Sequence, residues 1–122
     1  MSFTPPLRTV RDREQLQAAL KEGVLDALCS NHTPVDDDAK ILPFAQAEPG
    51  ATGLELLLPL ALDFGKKAEL TLTQVLEKLT IGPAKVLGLD IGHLSVGANA
   101  DICIFDPHAF WTVEPKNLKS QG

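Results

Sequence analysis

The sequence has 122 residues, 11 Lys+Arg against 16 Asp+Glu for a formal charge of −5, 44% apolar residues, nine Gly, nine Pro and two Cys. That mixture excludes a disordered chain, contains no apolar run long enough to cross a bilayer, and offers no Lys/Arg cluster for phosphates, so neither membrane nor nucleic acid is an expected partner. The length suits one domain burying roughly two thirds of its surface, and it excludes a complete (β/α)8 barrel, which needs at least about 200 residues.

Met1–Arg8 contains Pro5 and Pro6, which cannot donate ladder hydrogen bonds, and reads as an extended lead-in. No charged leader followed by an apolar stretch opens the chain, so a secretion signal is not expected and the cytoplasm is the expected location. Thr9 and Asp12 form a capping box ahead of a predicted helix over Val10–Glu22, with Leu16, Ala19 and Leu20 on one face and Gly23 placed to stop it. Val24–Cys29 is a short apolar run interrupted only by Asp26, the pattern of one strand buried on both faces of a parallel sheet.

Residues 30–53 lack periodicity, and a loop of that length in a compact domain binds something or is disordered. Leu54–Phe64 predicts an almost wholly apolar helix, kinked at Pro59 and buried on nearly all sides. Thr71 and Gln74 make a second capping box for a helix to about Leu79, and Pro83 suits the first turn of another short helix that Gly88 would end. Beyond it, Ile91–Val96 and Asp101–Phe105 flank the Gly97-Ala98-Asn99 turn as a predicted hairpin, with Trp111–Val113 as a further short strand. The expected organisation is an α/β part over residues 1–90 and a small β part over residues 91–122.

The excess acid is local: Asp26, Asp36, Asp37, Asp38, Glu48, Glu55 and Asp63 face a lone Lys40 in the middle of the chain. Cys29 and Cys103 have no CxxC partner, so they read as two buried thiols in a reducing compartment and not as a disulfide or zinc knuckle. Ser30–Val35, directly after the apolar run, is the segment where an α/β barrel places site residues. There Asn31 is an amide, unable to act as a base and a poor zinc ligand. His32 is the best titratable candidate, although a lone His beside a loop is more often a structural hydrogen-bonder than a ligand. The triplet Asp36–Asp38 lacks the alternation, Gly and terminal Glu of a calcium loop, and a solvated turn or the N-cap of a short helix accounts for it. His93 and His108 have no spaced partner, so surface or packing roles suffice.

Four segments in register, Pro5-Pro6-Leu7-Arg8, Leu25-Asp26-Ala27-Leu28-Cys29-Ser30-Asn31-His32-Thr33-Pro34, Pro49-Gly50-Ala51-Thr52-Gly53-Leu54-Glu55 and Gly97-Ala98-Asn99-Ala100-Asp101-Ile102, resemble the C-terminal third of the dihydroorotase family within the amidohydrolase superfamily. The resemblance runs nearly end to end. It implies an α/β chain forming the C-terminal portion of a (β/α)8 TIM-barrel amidohydrolase, its last strand and closing helices, followed by strands of a small β-sandwich. Active members use zinc to interconvert carbamoyl aspartate and dihydroorotate in pyrimidine biosynthesis, with metal ligands drawn mostly from segments this sequence does not include.

At the positions that match, the sequence departs from the family. The family's last strand ends in Thr-Asp-His-Ala-Pro-His, where the Asp is metal ligand and general base and the second His holds the substrate carboxylate. Asn31 stands at that Asp and Val35 at that His, while Thr4 replaces the substrate-binding Asn of the family's Asn-Pro-Pro-Leu-Arg. Pro49 and Gly50 fall where the family's loop backbone touches substrate and are the retained contacts. The pattern is similar to the non-catalytic dihydroorotase-like chains that accompany bacterial aspartate transcarbamoylase. It implies no catalytic residue, no metal and no cofactor in this chain, an oligomer, and the transcarbamoylase catalytic subunit as partner. Two alternatives stay open: part of an active zinc-dependent cyclic amidohydrolase recruiting His32 or Asp36, and an independent α/β binding module.

Overall fold

The computed structural model describes residues 3–120. In chain order its α-helices are α1 (Val10–Lys21), α2 (Asp37–Lys40), α3 (Leu57–Lys67), α4 (Leu72–Glu77) and α5 (Ile81–Leu87), with 3₁₀ turns at Leu54–Leu56 and Pro115–Asn117. Among the described residues no segment pairs into a strand.

The helices begin where local chemistry told them to. Thr9 caps α1: its Oγ1 accepts the Asp12 N–H at 3.3 Å, and the Asp12 carboxylate accepts the Thr9 N–H at 3.0 Å. Thr71 caps α4 in the same reciprocal way, with the Gln74 N–H on Thr71 Oγ1 at 3.3 Å and the Thr71 N–H on Gln74 Oε1 at 2.8 Å. Gly23 (φ +79°) follows α1, and Gly88 (φ +68°) closes α5; both adopt the left-handed conformation that lets a helix stop without a Cβ penalty.

Pro59 does not kink a helix as its place in the apolar run predicted. It falls in the first turn of α3, where no N–H is required, and the break comes earlier, at the passage from the 3₁₀ turn to α3. Nor is this apolar run buried all round, since Leu54 and Leu60 are about three-fifths exposed and Ala61 is its one buried residue.

The core is small. Leu20, Val35, Ala61, Val75 and Ala84 are its buried apolar side chains. Val75 of α4, 2% exposed, packs directly on Gly65 of α3, where a Cβ would collide with its Cγ2. The chain exposes 9600 Å², whereas a compact chain of this mass exposes about 6,400 Å²; about half of the unfolded surface is buried and not two thirds.

The missing burial is accounted for by the segments read as strands. Residues 24–29 pair with no strand, and their main-chain bonds go to two helices: the Val24 and Leu25 N–H groups donate to Ala19 O of α1 at 2.9 and 3.2 Å, the Leu28 N–H donates to Lys78 O after α4 at 2.9 Å, and Lys78 Nζ donates to Leu25 O at 2.8 Å. Gly82 at the start of α5 lies against Asp26 O, an approach that leaves no room for a Cβ. Without a neighbouring strand there is no ladder, and Val24 is 69% exposed. The same holds for Ile91–Val96, Asp101–Phe105 and Trp111–Val113. The turn between the first two exists, with the Ala98 N–H on Ser95 O at 3.1 Å, but the flanking residues separate unpaired and Val96 and Ile104 stand in solvent. Cys29 and Cys103 sit on these uncovered segments, so both thiols are exposed and the expectation of two buried thiols is corrected.

Candidate functional site

The loop from Ser30 to Gly53 folds back on itself. The Thr33 N–H donates to Ala51 O at 3.0 Å, which lays the Gly50–Gly53 stretch alongside Asn31–Val35. Gly50, buried at φ +150°, makes this approach possible: a Cβ there would meet Thr33 O at 2.5 Å and Val35 Cγ2 at 2.8 Å. Lys40, at the end of α2, closes the far side by donating from Nζ to Glu48 O at 2.8 Å and Gly50 O at 2.7 Å. The single cation of the acidic stretch therefore organises the loop through carbonyls and not through an acid partner.

Asn31 occupies the left-handed region (φ +46°), which Asn tolerates better than most residues, and is exposed. Its N–H approaches Cys29 Sγ at 3.4 Å. His32, next to it, points inward and is half-buried. Its Nδ1 accepts the N–H groups of Gly53 and Leu54 at 3.1 and 3.3 Å, so the imidazole caps the 3₁₀ turn that leads into α3. Those donors fix the tautomer with the proton on Nε2, which lies 3.5 Å from Ser120 Oγ. One residue beyond Leu54, the Glu55 carboxylate accepts the Lys119 N–H at 2.7 and 2.9 Å and the Ser120 N–H at 3.2 Å.

The residues singled out in the sequence separate into two groups. Asn31, His32, Val35, Pro49 and Gly50 share this loop, with Val35 and Gly50 buried against each other and Pro49 exposed. Thr4 stays on the exposed lead-in before α1, where the Thr4–Pro5 peptide is cis, and no hydrogen bond in the described residues ties it to the loop. Asp36 takes the N-cap position of α2 without a side-chain bond, and Asp37 and Asp38 form its first turn, as the short-helix reading of the acidic triplet expects. His93 bonds Asp90 locally at 3.0 Å, and His108 is exposed. A shallow cleft of about 260 Å³ lies elsewhere, between the end of α1 and α4, with Asp26, Gln74, Glu77 and Lys78 among its walls and none of residues 30–54.

The bonding roles of Lys40, Glu55 and Ser120 were not anticipated from the sequence. Lys40 carried a usable signal as the only cation in an acidic stretch. Glu55 closes a family-like segment, but nothing local pointed to its contact with Ser120, 65 residues away.

The model of the amidohydrolase family matches residues 4–121, and the chain belongs to that family. The solved structure of a D-hydantoinase is similar to it with a TM-score of 0.69 and 31% identity, over 80% of this chain and 23% of that one. The fold is thus that of a portion of a TIM-barrel amidohydrolase.

Within this superfamily the chain falls in the dihydroorotase family. It is 46% identical over 118 residues to a dihydroorotase-like protein of Pseudomonas putida, covering 97% of this chain and 28% of that protein. It is 50% identical over 103 residues to a dihydroorotase-like protein of Pseudomonas aeruginosa, covering 84% and 24%. A dihydroorotase of Geobacter metallireducens is 43% identical over 120 residues, covering 98% and 28%. The chain spans about a quarter of the length of these curated relatives.

Proposed function

We propose that this chain is the closing portion of a dihydroorotase-like barrel, catalytically inactive, whose role is structural: supporting assembly with aspartate transcarbamoylase in cytoplasmic pyrimidine biosynthesis. In this reading residues 1–90 belong to the barrel and residues 91–122 to a β-sandwich. The alternating residues around Val96 and Ile104 find their ladder in the longer polypeptide, whose length the relatives indicate.

The observation that carries the reading is the state of the two residues at the end of the would-be strand. Asn31 offers an amide where the family pattern has an acid, and both ring nitrogens of His32 face partners within the chain. These residues do not fit a zinc ion, which needs a free imidazole lone pair or a carboxylate at this point. Val35 is turned into the loop against Gly50, filling with methyl groups the position where the pattern has a carboxylate-binding His. Loss of a general base alone removes about 10²–10⁴ in rate. Pro49 and Gly50 are the loop-backbone contacts the reading retains.

Co-purification of the full-length parent with the aspartate transcarbamoylase catalytic subunit under mild salt tests the role. A stable oligomeric complex is expected, and a parent that elutes alone ends the assembly reading. The identity to chains named dihydroorotase favours a second reading, an active zinc enzyme that recruits His32 or Asp36. Stoichiometric zinc in the parent, with dihydroorotate turnover abolished by His32→Ala, would establish it. On the first reading, activity requires at least Asn31→Asp together with Val35→His.

A further inference from the structure

His32 and Glu55 join parts of the chain that no local signal connects. Glu55 takes two successive main-chain N–H groups, those of Lys119 and Ser120, on one carboxylate, and His32 Nε2 meets the Ser120 hydroxyl, so the contacts bridge 64 to 88 residues. Carboxylate bonds to N–H groups are charge-assisted and roughly twice as strong as neutral ones, whereas the 3.5 Å imidazole contact is at the limit of hydrogen-bond range. Glu55 is therefore the anchor, and His32 is what the anchored segment covers.

We propose that Leu118–Ser120 is a strap, docked on Glu55, that gates the Nε2 face of His32. Docked, the strap leaves neither imidazole nitrogen free. Released, it frees Nε2–H toward solvent, while Nδ1 stays on Gly53 and Leu54 and keeps the start of α3 capped. Glu55 and Ser120 thus act as positioning residues for His32, and the inference stands whether or not the parent is an enzyme.

The test combines amide hydrogen exchange with solvent exchange of the His32 Nε2–H proton, both followed by NMR on the 122-residue chain, using the exposed His108 ring as the fast-exchange reference. Glu55→Ala is expected to accelerate exchange at the Lys119 and Ser120 amides by about tenfold and to bring exchange of the His32 Nε2–H closer to that of the His108 ring, with the Asp12 and Gln74 amides unchanged. Lys119→Pro deletes a donated N–H without touching α3 and is expected to have the same effect on Ser120 and His32. It decides the matter if Glu55→Ala also disturbs the Asp12 or Gln74 amides. Unchanged Ser120 amide exchange or unchanged His32 Nε2–H exchange in Lys119→Pro overturns the strap.

Discussion

The stretch from Thr9 to Gly88 and the stretch from Leu89 to Val113 are both rich in apolar residues, the second more so, but they meet opposite fates. In the first, amphipathic segments pack on one another: Val75 on Gly65, and Gly82 on Asp26. In the second, Val96, Ile104 and Phe110 are almost fully exposed. A helix satisfies its own backbone, so two or three short ones can share a core within 80 residues. A strand leaves its N–H and C=O groups to a neighbour, and an extended segment without one gains little by burying its side chains. Stability in this chain should therefore be concentrated in the helical stretch, and substitutions can probe that asymmetry.

The sharpest break would come at the tightest backbone approach. Gly82→Ala places a methyl group into Asp26 O and within 2.8 Å of Glu77 O, and because main chain cannot yield as a side chain can, a cost of about 3 kcal/mol is expected. Urea unfolding of the chain measures it. A loss below about 0.5 kcal/mol would mean that the 24–29 segment is not seated on α5. Next is Val75→Ala, which leaves a cavity between α3 and α4 at a site 2% exposed; about 2 kcal/mol is expected by the same measurement.

The order of these effects also marks what could be read from the sequence. Thr9 with Asp12, Thr71 with Gln74, Pro83 and Gly88 act within three or four residues of themselves, so their consequences were legible. Pro59 was misplaced because the start of α3 depends on the preceding 3₁₀ turn, which His32 caps from 21 residues away. The would-be strands were legible as short apolar segments but not as paired ones, because pairing is a property of the partner. At the site, the identity of Asn31 was readable and its left-handed backbone was not. The commitment of His32 to Gly53, Leu54 and Ser120 was likewise hidden, being set by contacts remote in sequence.

The two capping boxes give a comparison within the helical stretch. Thr9→Ala and Thr71→Ala are each expected to cost about 1 kcal/mol at neutral pH, seen as faster amide exchange at Asp12 and Gln74 respectively. Acid should separate them. Asp12 is held below its ordinary value of 3.8 by the Thr9 hydroxyl and then the Thr9 N–H, so its contribution is complete above that value and lost as pH falls through the lowered one. Gln74 does not titrate. Between neutral pH and pH 2–3, after correction for intrinsic exchange rates, protection at the start of α1 should fall relative to that at the start of α4; equal losses would show that the Asp12 carboxylate adds nothing to the cap.

The smallest effect tests the other side of the asymmetry. Ile104→Ser removes a branched apolar side chain, a change that costs several kcal/mol in a core. Here the residue is 93% exposed, so the 122-residue chain should change by less than about 0.5 kcal/mol. The longer parent provides the contrast. If residues 101–105 pair there within a β-sandwich and cover one face, the same substitution should destabilise it clearly more than it does the 122-residue chain. Equal, near-zero losses in both would place Ile104 at the surface of the parent as well and would remove the β-sandwich from the proposed organisation, leaving the barrel portion unaffected.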